Sequence, residues 1–169
     1  MTPIALRPFG GEDDLALVHG WMQQPHVAPW WGLDGPVERL VEHLRAQPHV
    51  ESWIGLEDAG PFAYVETYAP AQDPLCAHYA AQPGDRGFHL LVGPPERLGS
   101  GAARRLMRHV LALLLAEEDA TRVVCEPDVR NLRMLAFCRG LGAERIDSFD
   151  FDGRRVALFA WTQPAPVAA

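Results

Sequence analysis

The apolar residues of this chain fall into short blocks separated by glycine, proline and acidic clusters, and the spacing inside each block names an element. Pro3 to Phe9 reads as a short strand. After Gly10-Gly11, the residues Glu12, Asp13 and Asp14 occupy a first helical turn, where the helix dipole favours negative charge, and Leu15, Val18 and Met22 then repeat at helical spacing. Pro25 to Gly35 places prolines and glycines around Trp30-Trp31, which predicts a loop carrying enough apolar area to line something. Pro36 suits a first helical position, and Val37, Leu40, Val41 and Leu44 keep the period until Gln47-Pro48 ends it.

Ser52 to Glu57 and Phe62 to Tyr68 read as antiparallel strands turned at Asp58-Ala59-Gly60-Pro61. A polar, proline-containing connection follows from Pro70 to Asp85. Gly87 to Gly93 (GFHLLVG) is apolar at nearly every position, the pattern of a central strand covered on both faces. Gly101 to Glu118 is the longest periodic helix, with Leu106, Val110, Leu113 and Leu114 on one stripe; Arg122 to Cys125 is a short strand, and Asn131 to Leu141 a helix stopped by Gly142. Arg145 to Phe151 and Arg154 to Trp161 flank Asp152-Gly153, a strong hairpin signal. These elements predict the α/β class: a mixed sheet with helices on both faces, one domain over residues 1–162, and a flexible Pro/Ala-rich tail at 163–169.

Composition narrows the picture. The 169 residues are 48% hydrophobic and 22% charged, ordinary values for one globular domain. A formal charge of -7 repels phosphate backbones, and no basic run offsets it, which argues against a nucleic-acid partner. All fifteen cationic residues are Arg. The longest strongly apolar run, Val110 to Ala116, is far short of the ~20 residues a bilayer requires, and Glu12 falls where a signal peptide needs apolar residues. Cys76, Cys125 and Cys138 share no C-x-x-C spacing, which suits a reducing cytoplasm and gives no metal site.

Candidate chemistry lies around the central strand. Leu98-Gly99-Ser100-Gly101-Ala102-Ala103 follows it and opens the long helix, so small residues let a ligand approach where helical N–H groups lack partners. Arg97, Arg104, Arg105 and Arg108 add positive charge there, suiting a pyrophosphate; an ordinary glycine turn with solvated arginines reads the same way. His89, between Phe88 and Leu90, is either a hydrogen-bonded core histidine or a proton-transfer group, an imidazole having an unperturbed pKa of ~6.5. Asp128 is either the N-cap of the following helix or a carboxylate at the carboxyl edge of the sheet. A cysteine nucleophile, Cys125 or Cys138 working with His89, is the less favoured covalent route.

With these residues in place the chain resembles the GNAT acyl-CoA N-acyltransferase superfamily along nearly its whole length. His26 to Gly32 (HVAPWWG), Glu66-Thr67-Tyr68, Asp73-Pro74-Leu75, Asp85 to Gly93 (DRGFHLLVG) and Glu126 to Asn131 (EPDVRN) resemble its siderophore-biosynthesis branch, which acylates side-chain amines or hydroxylamines of lysine-like building blocks. The resemblance implies a central, mostly antiparallel sheet and acetyl-CoA or another acyl-CoA as cosubstrate, with no metal. Leu91 and Val92 would pair with the pantetheine arm, and Arg97, Gly99, Ser100, Gly101, Ala102 and Ala103 would hold the pyrophosphate. Asn131 and Cys138 would complete the cofactor side, although Leu98 replaces the usual Gln or Arg, and Cys138 stands where many relatives carry a Tyr that protonates the departing thiolate. His89 and Asp128 carry the branch's catalytic pair, with the division of labour open. His26, Trp30, Trp31, Glu66, Tyr68 and Asp73 are candidates for a small-molecule acceptor pocket, carboxylates for a cationic amine and indoles for its methylenes. Two rivals stand beside this reading: an aminoglycoside 6'-N-acetyltransferase, a group resembling this chain but with Asp where His89 stands, and a non-catalytic acyl-CoA-binding module. Monomer and homodimer both remain open.

Overall fold

The computed structural model describes residues 3–57 and 60–162; Asp58 and Ala59 of the predicted turn, and the tail 163–169, fall outside them. The strands are β1 (Ala5–Pro8), β2 (Glu51–Glu57), β3 (Gly60–Tyr68), β4 (Asp85–Val92), β5 (Arg122–Cys125), β6 (Glu144–Phe151) and β7 (Arg154–Thr162). The helices are α1 (Gly11–Met22), α2 (Ala28–Trp31), α3 (Val37–Ala46), α4 (Ala102–Leu115) and α5 (Leu132–Gly140). The strands hydrogen-bond in the order β1-β2-β3-β4-β5-β7-β6, the mixed sheet expected. β1 with β2, β2 with β3, β5 with β7 and β6 with β7 run antiparallel. β4 runs parallel to β5 over Asp85–Gly87 opposite Arg122–Val124; a parallel pair needs a crossover, and α4 supplies it.

The described residues divide into two compact units, one drawn from 3–57, 60–67 and 89–109, the other from 68–88 and 110–162. In the first, Val18, Trp21, Met22, Val27, Leu40, Ile54, Tyr64 and Leu91 form a buried cluster, with Phe9, Leu15, Trp31, Leu33 and Leu44 packed against it. In the second, Val124, Leu158 and Ala160 are buried together, with Tyr79 and Phe149 against them. Both glycines of the GFHLLVG string are demanded by aromatic neighbours. A Cβ on Gly87 would meet the Tyr68 ring at 2.3 Å, and one on Gly93 would meet the Trp21 indole at 2.1 Å.

Several local expectations are corrected. The stretch 25–35 is not all loop: Ala28–Trp31 makes one helical turn, closed by Gly32 at φ 64°. The connection 70–85 contains two 3-10 turns, Pro70–Gln72 and Pro74–Ala77, each begun by a proline. Pro36 caps α3 in extended geometry and is not its first helical residue. α4 ends at Leu115 and not Glu118, since Glu117, Glu118 and Asp119 would crowd negative charge onto the negative end of the dipole. Leu113 is 47% exposed, and the buried face of α4 runs through Leu106, Met107, Val110, Leu111 and Leu114.

Candidate active site

Strand alternation on β3 turns Tyr64 and Glu66 to the same side. There Glu66 is 1% exposed, yet it is surrounded by donors. Its Oε1 lies 2.6 Å from His43 Nε2 on α3 and accepts the Tyr64 hydroxyl at 2.9 Å; its Oε2 lies 3.1 Å from Nδ1 of His89 on β4. Burial alone would push this carboxyl up, but the hydrogen bonds from His43 and His89 outweigh it and hold Glu66 at about 2 instead of 4.5. The same surroundings act oppositely on Tyr64, whose phenol is raised by burial and by the Glu66 charge. Trp31 covers the group, its indole edge-on to His89 at 6.1 Å and to His43 at 6.4 Å, and tilted to Tyr64 at 5.6 Å. Three residues predicted for the site, Trp31, Glu66 and His89, therefore meet. Glu66, however, sits behind the imidazole and not on an exposed acceptor wall.

Sequence reasoning missed His43 and Tyr64. The signal for His43 was its place three residues after Leu40 on the buried side of α3, with Gln47 one turn further on the same face. Tyr64 was legible from its i, i+2 relation to Glu66.

Other predicted residues of the first unit take structural positions. His26 Nε2 is 2.8 Å from the Val92 carbonyl, so the ring already occupies the end of β4 where a pantetheine contact was expected. Leu91 and Val92 have buried side chains, leaving the backbone as what they offer a ligand. Trp30 is half-buried on the α2 turn.

The glycine turn folds as a phosphate-binding turn requires in one respect and departs in another. Gly99 and Gly101 have φ of 76° and 82°, and nothing lies within 4 Å of where a Gly99 Cβ would stand. The Ser100 hydroxyl is spent locally, donating to the Arg97 carbonyl at 2.7 Å and accepting from Ala102 N–H at 3.3 Å. Ala102 is buried, Ala103 half-buried. The arginines supply less free charge than their number suggests: Glu57 at the end of β2 pairs with Arg97 and also with Arg105, the latter at 2.8 Å. Arg97 lies over the Phe62 ring, 5.0 Å from its centroid. An open left-handed glycine at the start of a 14-residue helix, α4, fits a diphosphate held by backbone N–H groups.

In the second unit Asp128 is 4% exposed and is not a helix N-cap; Asn131 takes that role, accepting from Met134 N–H at 3.1 Å. Asp128 instead accepts the Arg130 N–H at 2.8 Å and its guanidinium at 2.6 Å. These Arg130 bonds hold its carboxyl below the usual carboxylate range, against the opposing effect of burial. Asp73 caps the second 3-10 turn through the Leu75 N–H, 2.8 Å away. Tyr68 is 6% exposed and donates to Glu126 at 2.9 Å, so its phenol is packed inside and does not present an acceptor-facing hydroxyl. Cys138 has no exposed surface, its Sγ lying 3.7 Å from that of Cys125; the thiol is sealed from a bound thioester and from solvent. Burial also raises the Cys125 thiol, which disfavours either cysteine as a nucleophile.

The acetyltransferase (GNAT) domain family matches residues 11–151. Over 164 residues the chain is 31% identical to the lysine N-acyltransferase MbtK of Mycobacterium sp. (strain MCS), covering 94% of this chain and 66% of that protein, just short of two thirds. It is 35% identical over 139 residues to the N(6)-hydroxylysine O-acetyltransferase of Escherichia coli, covering 80% of this chain and 44% of that protein. Its backbone is similar to the aminoglycoside acetyltransferase AAC(6')-Ib in complex with coenzyme A, with a TM-score of 0.83, 25% identity and 95% of each chain covered. A family match over most of the sequence, joined to a mixed sheet whose central strand ends in a glycine turn and a long helix, places this chain among the GNAT acetyltransferases.

Proposed function

We propose that the chain moves an acetyl or other short acyl group from coenzyme A to the side-chain amine or hydroxylamine of a lysine-like small molecule. The observation that carries this reading is His89, an imidazole on the central strand backed by the buried Glu66 carboxylate and covered by Trp31. An aliphatic ammonium, with a pKa of ~10.4, must lose a proton before its nitrogen can attack a thioester. His89 Nδ1 faces the Glu66 carboxylate across 3.1 Å, and the ring takes the proton of the attacking nitrogen. Asp128, held as an anion by Arg130, is the weaker base of the two and serves to attract and orient a cationic acceptor. The nitrogen attacks the thioester carbon, backbone N–H near Leu91 stabilises the oxyanion, and the C–S bond breaks to release the thiolate. With the Cys138 thiol buried, solvent protonates that thiolate.

The backbone N–H groups of Gly99, Gly101 and Ala103 would hold the pyrophosphate of the cosubstrate, which supplies the activated acyl carbon; those of Leu98, Ser100 and Ala102 already donate to the Pro95 carbonyl, the Arg97 carbonyl and the Ser100 hydroxyl. The related proteins named for lysine and hydroxylysine support the substrate class. A second reading, acylation of an aminoglycoside amine, draws on the likeness to AAC(6')-Ib. Thiol release from acetyl-CoA separates them when lysine, N6-hydroxylysine and kanamycin are compared as acceptors. Turnover on the lysine-like amines, reduced about 10²-fold or more in His89→Ala, is the expected result. Preference for kanamycin would overturn the substrate class, and turnover on no amine would overturn the enzyme reading.

A further inference from the structure

The side chain of Glu57, the last residue of β2, is 9% exposed and takes a guanidinium on each of its oxygens. Oε2 pairs with Arg97 Nη2. Oε1 accepts from Arg105 Nε at 2.9 Å and lies 2.8 Å from Nη2 of the same side chain. The two arginines bracket the glycine turn. Arg97 immediately precedes Leu98, and its carbonyl receives both the Ser100 N–H and the Ser100 hydroxyl; the Arg105 N–H closes onto the Gly101 carbonyl at 3.1 Å. One carboxylate from β2 therefore ties the residue that enters the turn to a residue one helical turn beyond it.

The tie gives Arg105 a direction. A guanidinium is a rigid planar fork, so fixing Nε and Nη2 also fixes where Nη1 points. Nη1 lies 3.2 Å from where a Cβ on Gly101 would stand, beside the bare α-carbon of a left-handed glycine at φ 82°. Arg97, packed over the Phe62 ring, anchors the other carboxylate oxygen.

We propose that Glu57 is a positioning residue for the cosubstrate: it braces Arg105 so that Nη1 stands at Gly101, adding a fixed cationic donor to the backbone N–H groups that take the diphosphate. This rests on the reading that acyl-CoA is the cosubstrate. Glu57 is turned to the two arginines and acts through Arg105. Its charge has two effects of opposite sign. It subtracts from the attraction of the turn for an anion, and it orders a long side chain before the ligand arrives, which removes the rotamer entropy that an unheld arginine would lose on meeting a phosphate. Without the carboxylate the two guanidinium groups would also repel each other. Orientation outweighs neutralisation.

Calorimetric titration with CoA, with no acceptor present and no turnover, reads the sign. Glu57→Gln keeps the shape and removes the charge; CoA should bind about tenfold more weakly, and dephospho-CoA, which retains the diphosphate, should lose the same factor. The KM for acetyl-CoA should rise in parallel while the KM for the amine acceptor moves by less than about threefold. Arg105→Gln should match that loss, and adding Glu57→Gln to it should cost less than about a further twofold, since no guanidinium is left to aim at the turn. Unchanged or tighter CoA binding in Glu57→Gln overturns the proposal, and so does a double variant in which the two losses multiply. If Glu57→Gln does not fold, Arg105→Gln decides: a tenfold loss of CoA affinity supports the role, and wild-type affinity overturns it. Variants that keep wild-type affinity for dephospho-CoA would put Arg105 on the 3'-phosphate and overturn the assignment to the diphosphate. A wild type that binds no CoA overturns the cosubstrate reading and this inference together, whereas CoA binding that neither variant weakens overturns this inference alone.

Discussion

At the scale of single residues the two halves of the expected catalytic pair are built very differently. His89 is held by a carboxylate inside the protein, whereas Asp128 is held by a guanidinium, Arg130, whose side chain is 74% exposed. Arg130→Ala should therefore let the Asp128 carboxyl rise toward its ordinary 3.8, visible in a carboxyl NMR titration. Asp128→Asn keeps the turn that accepts the Arg130 N–H but removes the charge, and should lower kcat/KM for a cationic acceptor more than for a neutral hydroxylamine. Equal losses for both acceptors would contradict the orienting role. His89 and Asp128 stand out in the sequence because each carries chemistry its immediate neighbours lack, and Trp31 because two adjacent indoles fall in a stretch rich in proline and glycine. The burial of Glu66 was not legible there, since Glu66-Thr67-Tyr68 reads equally well on a surface; what accounts for it is the meeting of donors from three elements, His43, Tyr64 and His89.

At the scale of elements, periodicity located most strands and helices; the errors fell at their ends and at the one-turn helices of 28–31, 70–72 and 74–77, too short to show a period. Boundaries depend on caps and charges that period alone does not encode. α1 shows why. Its first-turn Asp14 is read from sequence as one of three acids near a helix N-terminus, yet it is 4% exposed, accepts the Gly10 N–H at 2.9 Å and binds both guanidinium nitrogens of Arg7 on β1 at 2.6 Å. The Arg7 bonds are the main reason its carboxyl is lowered. Asp14→Ala should cost about 1–3 kcal/mol in urea unfolding, because it orphans a backbone donor and breaks a strand-to-helix tie. Asp13→Ala, on the exposed face, should cost about 0.5 kcal/mol or less. At the other helix the Asn131 cap predicts a loss of about 1 kcal/mol for Asn131→Ala, read from the same unfolding curves.

At the scale of the whole molecule, Asp14, Glu66, Asp85 and Asp128 are all lowered in the folded state, and all four are buried. For Asp85 burial acts upward and is outweighed by Arg122, which binds both carboxyl oxygens, and by Gln82 and Tyr79. A carboxylate with a depressed folded pKa stabilises the fold above its unfolded pKa and loses that contribution as pH falls through the folded value. Unfolding free energy should thus hold steady from pH 7 to about 5 and decline from about 4.5 toward 2, the span set by Glu66. Stability that stayed flat to pH 2 would show that these pairs contribute nothing net. The absence of lysine from all fifteen cationic positions gives a further expectation: incubation with excess acetyl-CoA should add no acetyl group to any side-chain amine, as peptide mass spectrometry would register.

The aromatic rings seated against Gly87 and Gly93 bear on how freely β4 could be rewritten. A saturation library across positions 85–93 should show two deep troughs where every side chain, alanine included, is rejected. Efforts to retune the chain for a bulkier amine would have to draw their diversity from other positions, because Gly87 and Gly93 offer no room for an extra carbon.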